Sequence, residues 1–191
     1  MNAALLPVKV TICGIAELDG FAGAGVNDVL SIVNPGQDEP EAFRLYRPHR
    51  RTTLRFHDIV LPAEGQAMPA PGDVERILDF GMKLNAAGDS RHLLVHCVAG
   101  VSRSTAAAAI LMAQANPGRE AEAFMALLDI RPRAWPNSRM VELADAMLGR
   151  RGRLRQGLDA YYRAALERYD GFADYIRSIG DRNHELPREW R

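Results

Sequence analysis

The fold of this chain is decided by residues 96–105, His96-Cys97-Val98-Ala99-Gly100-Val101-Ser102-Arg103-Ser104-Thr105. A cysteine ends an apolar segment, five uncharged residues follow it, and an arginine opens an Ala-rich helical segment. Backbone N–H groups in such a loop can point inward, and the following helix adds its positive N-terminal end. Arg103 can bind a tetrahedral oxyanion through two parallel hydrogen bonds. The stretch therefore predicts an anion-binding cradle with Cys97 at its base, where these positive groups favour the thiolate.

Outward from this stretch, apolar segments alternate with segments of helical periodicity. Strands are expected at residues 9–13, 28–33, 52–56 and 91–96, with a fifth, edge piece around 43–46. Helices are expected from Asp73, as N-cap, to Gly88-Asp89, and over residues 102–116, 119–128 and 137–148. This alternation predicts an α/β fold in which a central, mostly parallel sheet of four or five strands is flanked by helices.

The composition narrows the classes of function. The 191 residues include 24 basic and 24 acidic side chains, and a net charge of zero argues against bulk binding to nucleic acid or to an anionic membrane. Two widely separated cysteines form no disulfide framework, which favours a reducing, cytoplasmic setting. The five histidines form no ligand-like cluster, so we expect no metal and no cofactor. No segment is predicted to span a bilayer.

The spacing of cysteine, arginine and hydroxyl resembles the active-site loop of the cysteine-dependent protein tyrosine phosphatase superfamily, His-Cys-X5-Arg-Ser/Thr. Every fixed position of that loop is present in residues 96–104. The resemblance implies a phosphatase-type fold and a compact, dual-specificity-like member, and we expect a bacterial one. It also implies a catalytic domain over residues 1–149. The composition changes after that point, so residues 150–191 are expected to form a helical C-terminal extension that ends in a loosely held polar segment.

The resemblance implies a role for each residue of the loop. Cys97 would be the nucleophile that forms a thiophosphate intermediate, and the Ser104 hydroxyl would assist departure of its thiolate. His96 points to the other side of the strand and would orient the loop through a backbone hydrogen bond. The phosphoryl oxygens would be held by the Arg103 side chain and by the backbone amides of Val98, Ala99, Gly100, Val101, Ser102 and Arg103.

The family also needs a general acid, which is an aspartate some tens of residues before the cysteine. Asp73 is expected to cap a helix, Asp79 to lie within that helix, and Asp89 to lie in a tight turn. Asp58 directly follows the predicted strand at 52–56, and α/β folds place their sites at the ends of parallel strands. We therefore predict that Asp58 is the general acid, with local capping of backbone amides as the alternative.

A second motif, Arg131-Pro132-Arg133-Ala134-Trp135-Pro136-Asn137, resembles the segment that dual-specificity members carry before their last core helix. Asn137 is expected as the N-cap of that helix. The resemblance adds that its amide hydrogen-bonds the active-site loop. Cys13, on the first strand, has two interpretations: a disulfide partner that protects Cys97, or a small core residue.

Three functions stay open at this point. The first is a phosphomonoesterase that acts on protein phosphotyrosine and also on phosphoserine or phosphothreonine. The second is the same chemistry on a nucleotide, an RNA 5′ end or a phosphoinositide, which the uncharged residues 98–102 disfavour. The third is a non-catalytic phosphate-binding module, disfavoured because Cys97 and Arg103 are both present; a sulfurtransferase is more remote. The expected partner is a phosphorylated protein or a small phosphoester, and the oligomeric state stays open.

Overall fold

The computed structural model describes residues 5–86, 91–179 and 181–191. Within these ranges, four strands form one parallel sheet: β1 (Lys9–Gly14), β2 (Asp28–Val33), β3 (Arg50–Arg55) and β4 (His92–Cys97). Their spatial order is β1-β4-β2-β3. In the register of β1 with β4, Gly14 lies opposite Cys97, so the cysteine ends a central strand.

Seven helices follow or interrupt these strands in the described ranges. They are α1 (Pro71–Asn85), α2 (Arg103–Ala115), α3 (Glu120–Met125), α4 (Leu127–Ile130), α5 (Ser138–Met147), α6 (Arg153–Arg168) and α7 (Phe172–Ser178). Short 3₁₀ helices span Ile15–Phe21, Glu41–Leu45, Asp181–Glu185 and Arg188–Trp190. None of the described helices combines the length and the apolarity needed to cross a membrane.

The helix that follows Cys97 lies directly against the sheet. Four consecutive alanines of α2, Ala106–Ala109, are fully buried, and their small side chains allow the helix to approach β4 closely. Helices α1 and α5 pack beside α2 on the same face of the sheet. The predicted α/β fold with a parallel sheet is therefore confirmed. The C-terminal end of β4 lies next to the beginning of α2.

The predicted fifth strand at 43–46 is wrong. This stretch lies in the 3₁₀ helix Glu41–Leu45, which begins after Pro40. The backbone N–H of Phe43 donates to the carbonyl of Pro40 at 3.3 Å, which closes a turn instead of pairing with β3. Phe43 and Tyr46 pack on the face of the sheet that carries Cys13. The apolar residues from which the strand was predicted therefore cover the sheet and do not extend it.

Two helix predictions also need correction. The helix at 71–85 begins at Pro71 with Ala70 as N-cap, so Asp73 is the third helical residue; its carboxylate accepts the Ala70 N–H at 3.0 Å. The helix begins earlier than predicted because the fixed φ of Pro71 suits the first helical position. The predicted helix at 119–128 consists of α3 and α4, which are separated at Ala126. Gly88 and Asp89 lie outside the described residues.

The C-terminal segment packs closely on the rest of the chain. Helix α6 contacts α3 and α5, and the ring of Tyr162 stacks on that of Trp135 with centroids 3.8 Å apart. The Tyr161 hydroxyl donates to the Ala134 carbonyl at 2.9 Å. The expectation of a loosely held polar end is wrong for the described part, because Arg182 and Leu186 are buried. The boundary at residue 149 stays a prediction.

Candidate active site

The loop after β4 has its carbonyl oxygens bonded to the surrounding elements. The pairs are Val98 O with Ile15 N (3.0 Å), Ala99 O and Gly100 O with the Arg131 guanidinium (3.3 and 3.0 Å), Val101 O with Trp135 N (2.8 Å) and Ser102 O with Ala106 N (2.9 Å). Since these peptides are trans, each carbonyl sets the N–H of the next residue in the opposite direction. The amides of residues 99–103 therefore turn to the other side, where the Gly100 N–H donates to Cys97 Sγ at 3.3 Å.

Gly100 is required by both conformation and space. Its φ is +71°, and a Cβ at this position would lie 2.4 Å from the Cys13 carbonyl carbon and from Gly14 N. A Cβ on Gly14 would in turn lie 2.9 Å from the Ala99 carbonyl carbon. The end of β1 is therefore pressed against the back of the loop, and glycine on both sides permits this approach.

Cys97 and Ser104 meet at the base of the loop. Cys97 is 1% exposed, and its Sγ lies 3.2 Å from Ser104 Oγ in the first turn of α2. A hydroxyl at this distance can hydrogen-bond the sulfur. The inward amides, the start of α2 and this hydroxyl surround one sulfur atom, so the loop can bind an anion next to Cys97.

Arg103 is held on one side and open on the other. Its Nη1 donates to Asn34 Oδ1 at 2.8 Å and to the Phe56 carbonyl at 2.6 Å. Its Nε is buried and has no hydrogen-bond partner among the described residues. A buried guanidinium N–H without a partner is costly, so this N–H is suited to a ligand oxyanion.

Glu17 and Arg131 brace the back of the loop. Glu17 accepts two hydrogen bonds from Arg131, each 2.7 Å long, and one from Gly14 N at 2.6 Å. The bond from Arg131 lowers the pKa of Glu17, and the pair holds the guanidinium that binds the loop carbonyls. Neither Glu17 nor Asn34 was expected from the sequence, since an isolated polar residue after a strand carries no pattern.

Asp58 lies beside the loop, and one of its oxygens is strongly anchored. Oδ1 accepts hydrogen bonds from Ser102 Oγ (2.7 Å), Asn137 Nδ2 (2.9 Å) and Arg182 Nη2 (2.7 Å). Oδ2 has no hydrogen bond to any of the described residues. The side chain is 32% exposed, so this free oxygen can be reached from solvent.

Asn137 is the N-cap of α5, as predicted, and its Oδ1 accepts the Met140 N–H at 3.1 Å. Its side-chain amide donates to Asp58 and to the Ile59 carbonyl, whereas its backbone N–H reaches the Ser102 carbonyl at 3.4 Å. The amide thus contacts the segment of Asp58 directly, and the loop only through the main chain. Arg182 was missed because no pattern in residues 180–191 indicates that this polar end folds back on the site.

His96 and Cys13 lie on the opposite face of the sheet from Cys97. The His96 ring is 5.4 Å from that of Phe43, and its Nδ1 is 3.5 Å from the Cys97 carbonyl, at the limit for a hydrogen bond. Burial lowers the pKa of His96 to about 4, so the ring is neutral at pH 7. Cys13 is opposite His96 in the register, and burial raises its pKa to about 12. Packing is the role this geometry gives both residues.

The fold is shared with solved structures of phosphatase-like proteins. Human DUSP28 matches with a TM-score of 0.54 and 19% identity, over 76% of this chain and 97% of that chain. The human tyrosine phosphatase-like serine/threonine/tyrosine-interacting protein matches with a TM-score of 0.56 and 18% identity, over 78% and 95% of the two chains. This chain has the protein tyrosine phosphatase fold. PTPMT1 in complex with PI(5)P matches with a TM-score of 0.53 and 16% identity, over 78% and 94%.

No protein-family model matches the chain, and no curated protein is significantly similar to it. In the ranges that the structure describes, no group of three or more His, Cys, Asp or Glu side chains is placed to hold a metal ion. The phosphatase fold brings together the residues that the sequence singled out: Cys97, Arg103, Ser104, Asp58 and Asn137.

Proposed function

We propose that this protein hydrolyses phosphomonoesters through a cysteinyl-phosphate intermediate on Cys97. The observation that carries the proposal is the set of amides of residues 99–103 turned to the side of the sulfur, together with the buried Nε of Arg103, which has no partner among the described residues. Three equatorial phosphoryl oxygens need several N–H donors fixed in advance, and this loop offers them without rearrangement.

In the first step, the Cys97 thiolate attacks phosphorus in line with the ester oxygen. The S–P bond forms, the P–O bond breaks, and the leaving oxygen takes a proton from Asp58. Oδ2 is the oxygen of Asp58 that delivers this proton, since Oδ1 already accepts three hydrogen bonds. Arg103 and the loop amides stabilise the charge that spreads over the equatorial oxygens.

In the second step, water attacks the phosphorus of the intermediate. Asp58, now ionised, takes a proton from this water, the P–S bond breaks, and inorganic phosphate leaves. The Ser104 hydroxyl, 3.2 Å from the sulfur, donates a hydrogen bond to the thiolate as it reforms. This interaction assists a poor leaving group without protonating it fully.

The substrate class we propose is phosphotyrosine in proteins, with phosphoserine and phosphothreonine as further substrates. The five residues 98–102 carry no charge, so the loop offers one phosphate its binding groups and no added side-chain cation. A phosphoinositide is the second candidate because a structure of the same fold, PTPMT1, contains PI(5)P. The uncharged loop favours the protein substrate, since a headgroup with several phosphates needs more positive charge.

The test is phosphate release from phosphotyrosyl and phosphoseryl peptides, phosphoinositides and nucleotides, with Cys97→Ser as the blank. We expect the phosphotyrosyl peptide to be the best substrate and Cys97→Ser to fall below about a thousandth of wild-type turnover. Because the amides and Arg103 remain, Cys97→Ser should still bind vanadate or sulfate. Cys13→Ala, which changes the other buried thiol, is the matched control and should keep wild-type turnover.

Two results would contradict the proposal. Turnover in Cys97→Ser above a few per cent of wild type would reject the nucleophile. Unchanged affinity for vanadate in Arg103→Lys would reject the role given to Arg103, since lysine cannot make the paired hydrogen bonds. Preference for a phosphoinositide over every peptide would keep the chemistry and change the substrate class.

A further inference from the structure

The C-terminal end of the chain reaches the acid that the proposed mechanism uses. The Nη2 of Arg182 lies 2.7 Å from Asp58 Oδ1, 3.3 Å from the Asp58 carbonyl and 3.1 Å from Ser102 Oγ. One nitrogen therefore joins the segment of Asp58 to the loop around Cys97. We propose that Arg182 is a positioning residue for the general acid, so that the C-terminal segment 181–186 is part of the active site. This inference rests on the proposed function.

Arg182 is itself fixed by a buried carboxylate. The side chains of Arg182 and Glu185 are only 8% and 2% exposed, and Nη1 of the arginine donates to Glu185 Oε2 at 2.9 Å. Trp135 Nε1 donates to the same oxygen at 3.0 Å. The Ser138 N–H reaches Glu185 Oε1 at 3.4 Å. Glu185 thus connects Arg182 to Trp135 in the segment 131–137. Asn137, at the end of that segment, also donates to Asp58.

The charge balance of this cluster suits a group that gains and loses a proton in each turnover. When Asp58 is ionised, Arg182 faces two carboxylates, and when Asp58 is protonated, Glu185 still neutralises the arginine. A buried cation is therefore never left unpaired as Asp58 changes its charge, a situation that would be costly. A surface arginine with Asp58 as its one partner would not have this property.

The hydrogen bonds also select the oxygen that carries the proton. Because Oδ1 accepts from three donors, a proton on Oδ1 would collide with one of them, so the acid proton resides on Oδ2. Oδ2 makes no hydrogen bond with the described residues and is free to point at a leaving oxygen. Arg182 thereby fixes both the place of the carboxyl group and the atom that donates.

The experiment compares Arg182→Met with wild type in the full chain, on two substrates that differ in leaving group. For phosphotyrosyl peptide, whose oxygen needs a proton, we expect kcat/KM, which reports formation of the intermediate, to fall about 10- to 100-fold, since a small displacement of a reacting group costs this much. For an aryl phosphate with an acidic leaving group we expect a loss below about threefold, because that oxygen departs without a proton. Arg182→Lys should recover part of the loss.

Arg177→Met is the matched control. Arg177 holds the same end of the chain through Asp174 and the Trp190 carbonyl and does not contact Asp58. It should leave both substrates close to wild type. If Arg182→Met alone does not fold, because Glu185 is left buried and unpaired, the double variant Arg182→Met/Glu185→Gln removes that charge and gives the same measurement.

Equal losses of kcat/KM on both substrates in the Arg182 variant would overturn the inference and reduce Arg182 to a structural role. Turnover of both substrates at the wild-type level would also overturn it. Asp58→Asn separates the two levels of failure. If Asp58→Asn shows the leaving-group dependence and the Arg182 variant does not, only this inference fails; if neither shows it, the acid role in the proposed function fails too.

Discussion

The loop around Cys97 and the anchorage of Asp58 are built in opposite ways. The loop is one continuous stretch, in which strand, glycine and helix start follow one another within ten residues of sequence. The anchorage of Asp58 draws its three donors from Ser102, Asn137 and Arg182, and the last is 124 positions away. The residues of the first region are adjacent in sequence, whereas the donors of the second come together only when the whole chain is folded.

Substitutions in the two regions should therefore affect catalysis in different ways. A change within the loop acts on the phosphoryl group itself and should affect every substrate. A change in the anchorage acts through Asp58, and in the first step, which kcat/KM reports, it should affect mainly those substrates whose leaving oxygen needs a proton. Leaving-group dependence is therefore the property that separates the two regions.

The largest effect is expected at the centre of the anchorage. Asp58→Asn should lower kcat/KM for phosphotyrosyl or alkyl phosphates by roughly 10²–10⁴-fold, because the amide cannot donate the proton in the first step. The loss should be much smaller for an aryl phosphate with an acidic leaving group. Steady-state kinetics over a series of leaving groups measures this as a steeper dependence on leaving-group acidity.

Asp73→Asn is the control for the loss of a carboxylate that accepts a backbone N–H at the start of a helix. Asp73 accepts the Ala70 N–H at the start of α1, so its change should lower the stability of the fold slightly. No leaving-group dependence is expected there. A strong dependence in Asp73→Asn, with none in Asp58→Asn, would move the acid to Asp73.

The loop can be tested by its glycine. Gly100 and Gly36 have φ values of +71° and +74°, but a Cβ on Gly36 meets no atom within 4 Å. Gly36→Ala should therefore lower the free energy of unfolding by about 1 kcal/mol, the cost of the backbone conformation alone. Gly100→Ala should lower it by about 3 kcal/mol, because the end of β1 must also move. Urea unfolding of the two variants gives the comparison, and equal losses would mean that the contact with β1 is not tight.

The smallest effect is expected at His96, on the face of the sheet opposite Cys97. His96 is buried as a neutral ring with a pKa of about 4, whereas its value in the unfolded chain is near 6.5. Between these values the unfolded chain binds the extra proton, so stability falls as the pH falls. From pH 7 to pH 5 this amounts to about 2 kcal/mol. His96→Asn should remove that part of the slope in urea unfolding, and exposed His184→Asn should keep it. An unchanged slope in His96→Asn would show that His96 is not the group involved.

The loop can be predicted from the sequence because each of its structural and chemical requirements is met by one particular type of residue. Gly100 supplies the positive φ, Arg103 the paired donors and Ser104 the hydroxyl, all at fixed spacing. Asp58 follows from the end of a strand, and Asn137 from its place before a helix. The edge piece at 43–46 fails because an apolar stretch after Pro40 can cover a sheet as well as extend it.

Arg182 and Glu185 could not be predicted, because charged residues near a chain end are usually solvated. Their burial depends on partners in three distant segments: Asp58 at the end of β3, Ser102 in the loop and Trp135 before α5. A pattern of neighbouring residues cannot indicate partners that lie so far away in the sequence. A polar segment that looks loosely held in sequence is thus fixed by a buried ion pair in the structure.

The most direct test of the proposed chemistry is to trap the covalent intermediate. A phosphotyrosyl peptide with radiolabelled phosphate is mixed with enzyme, quenched with acid within one turnover, and the labelled residue is mapped by mass spectrometry. We predict label on Cys97 in wild type and more of it in Ser104→Ala, where the thiolate leaves more slowly, with none in Cys97→Ser. Turnover of the peptide without label on Cys97 in either enzyme, or label that persists in Cys97→Ser, would contradict the account.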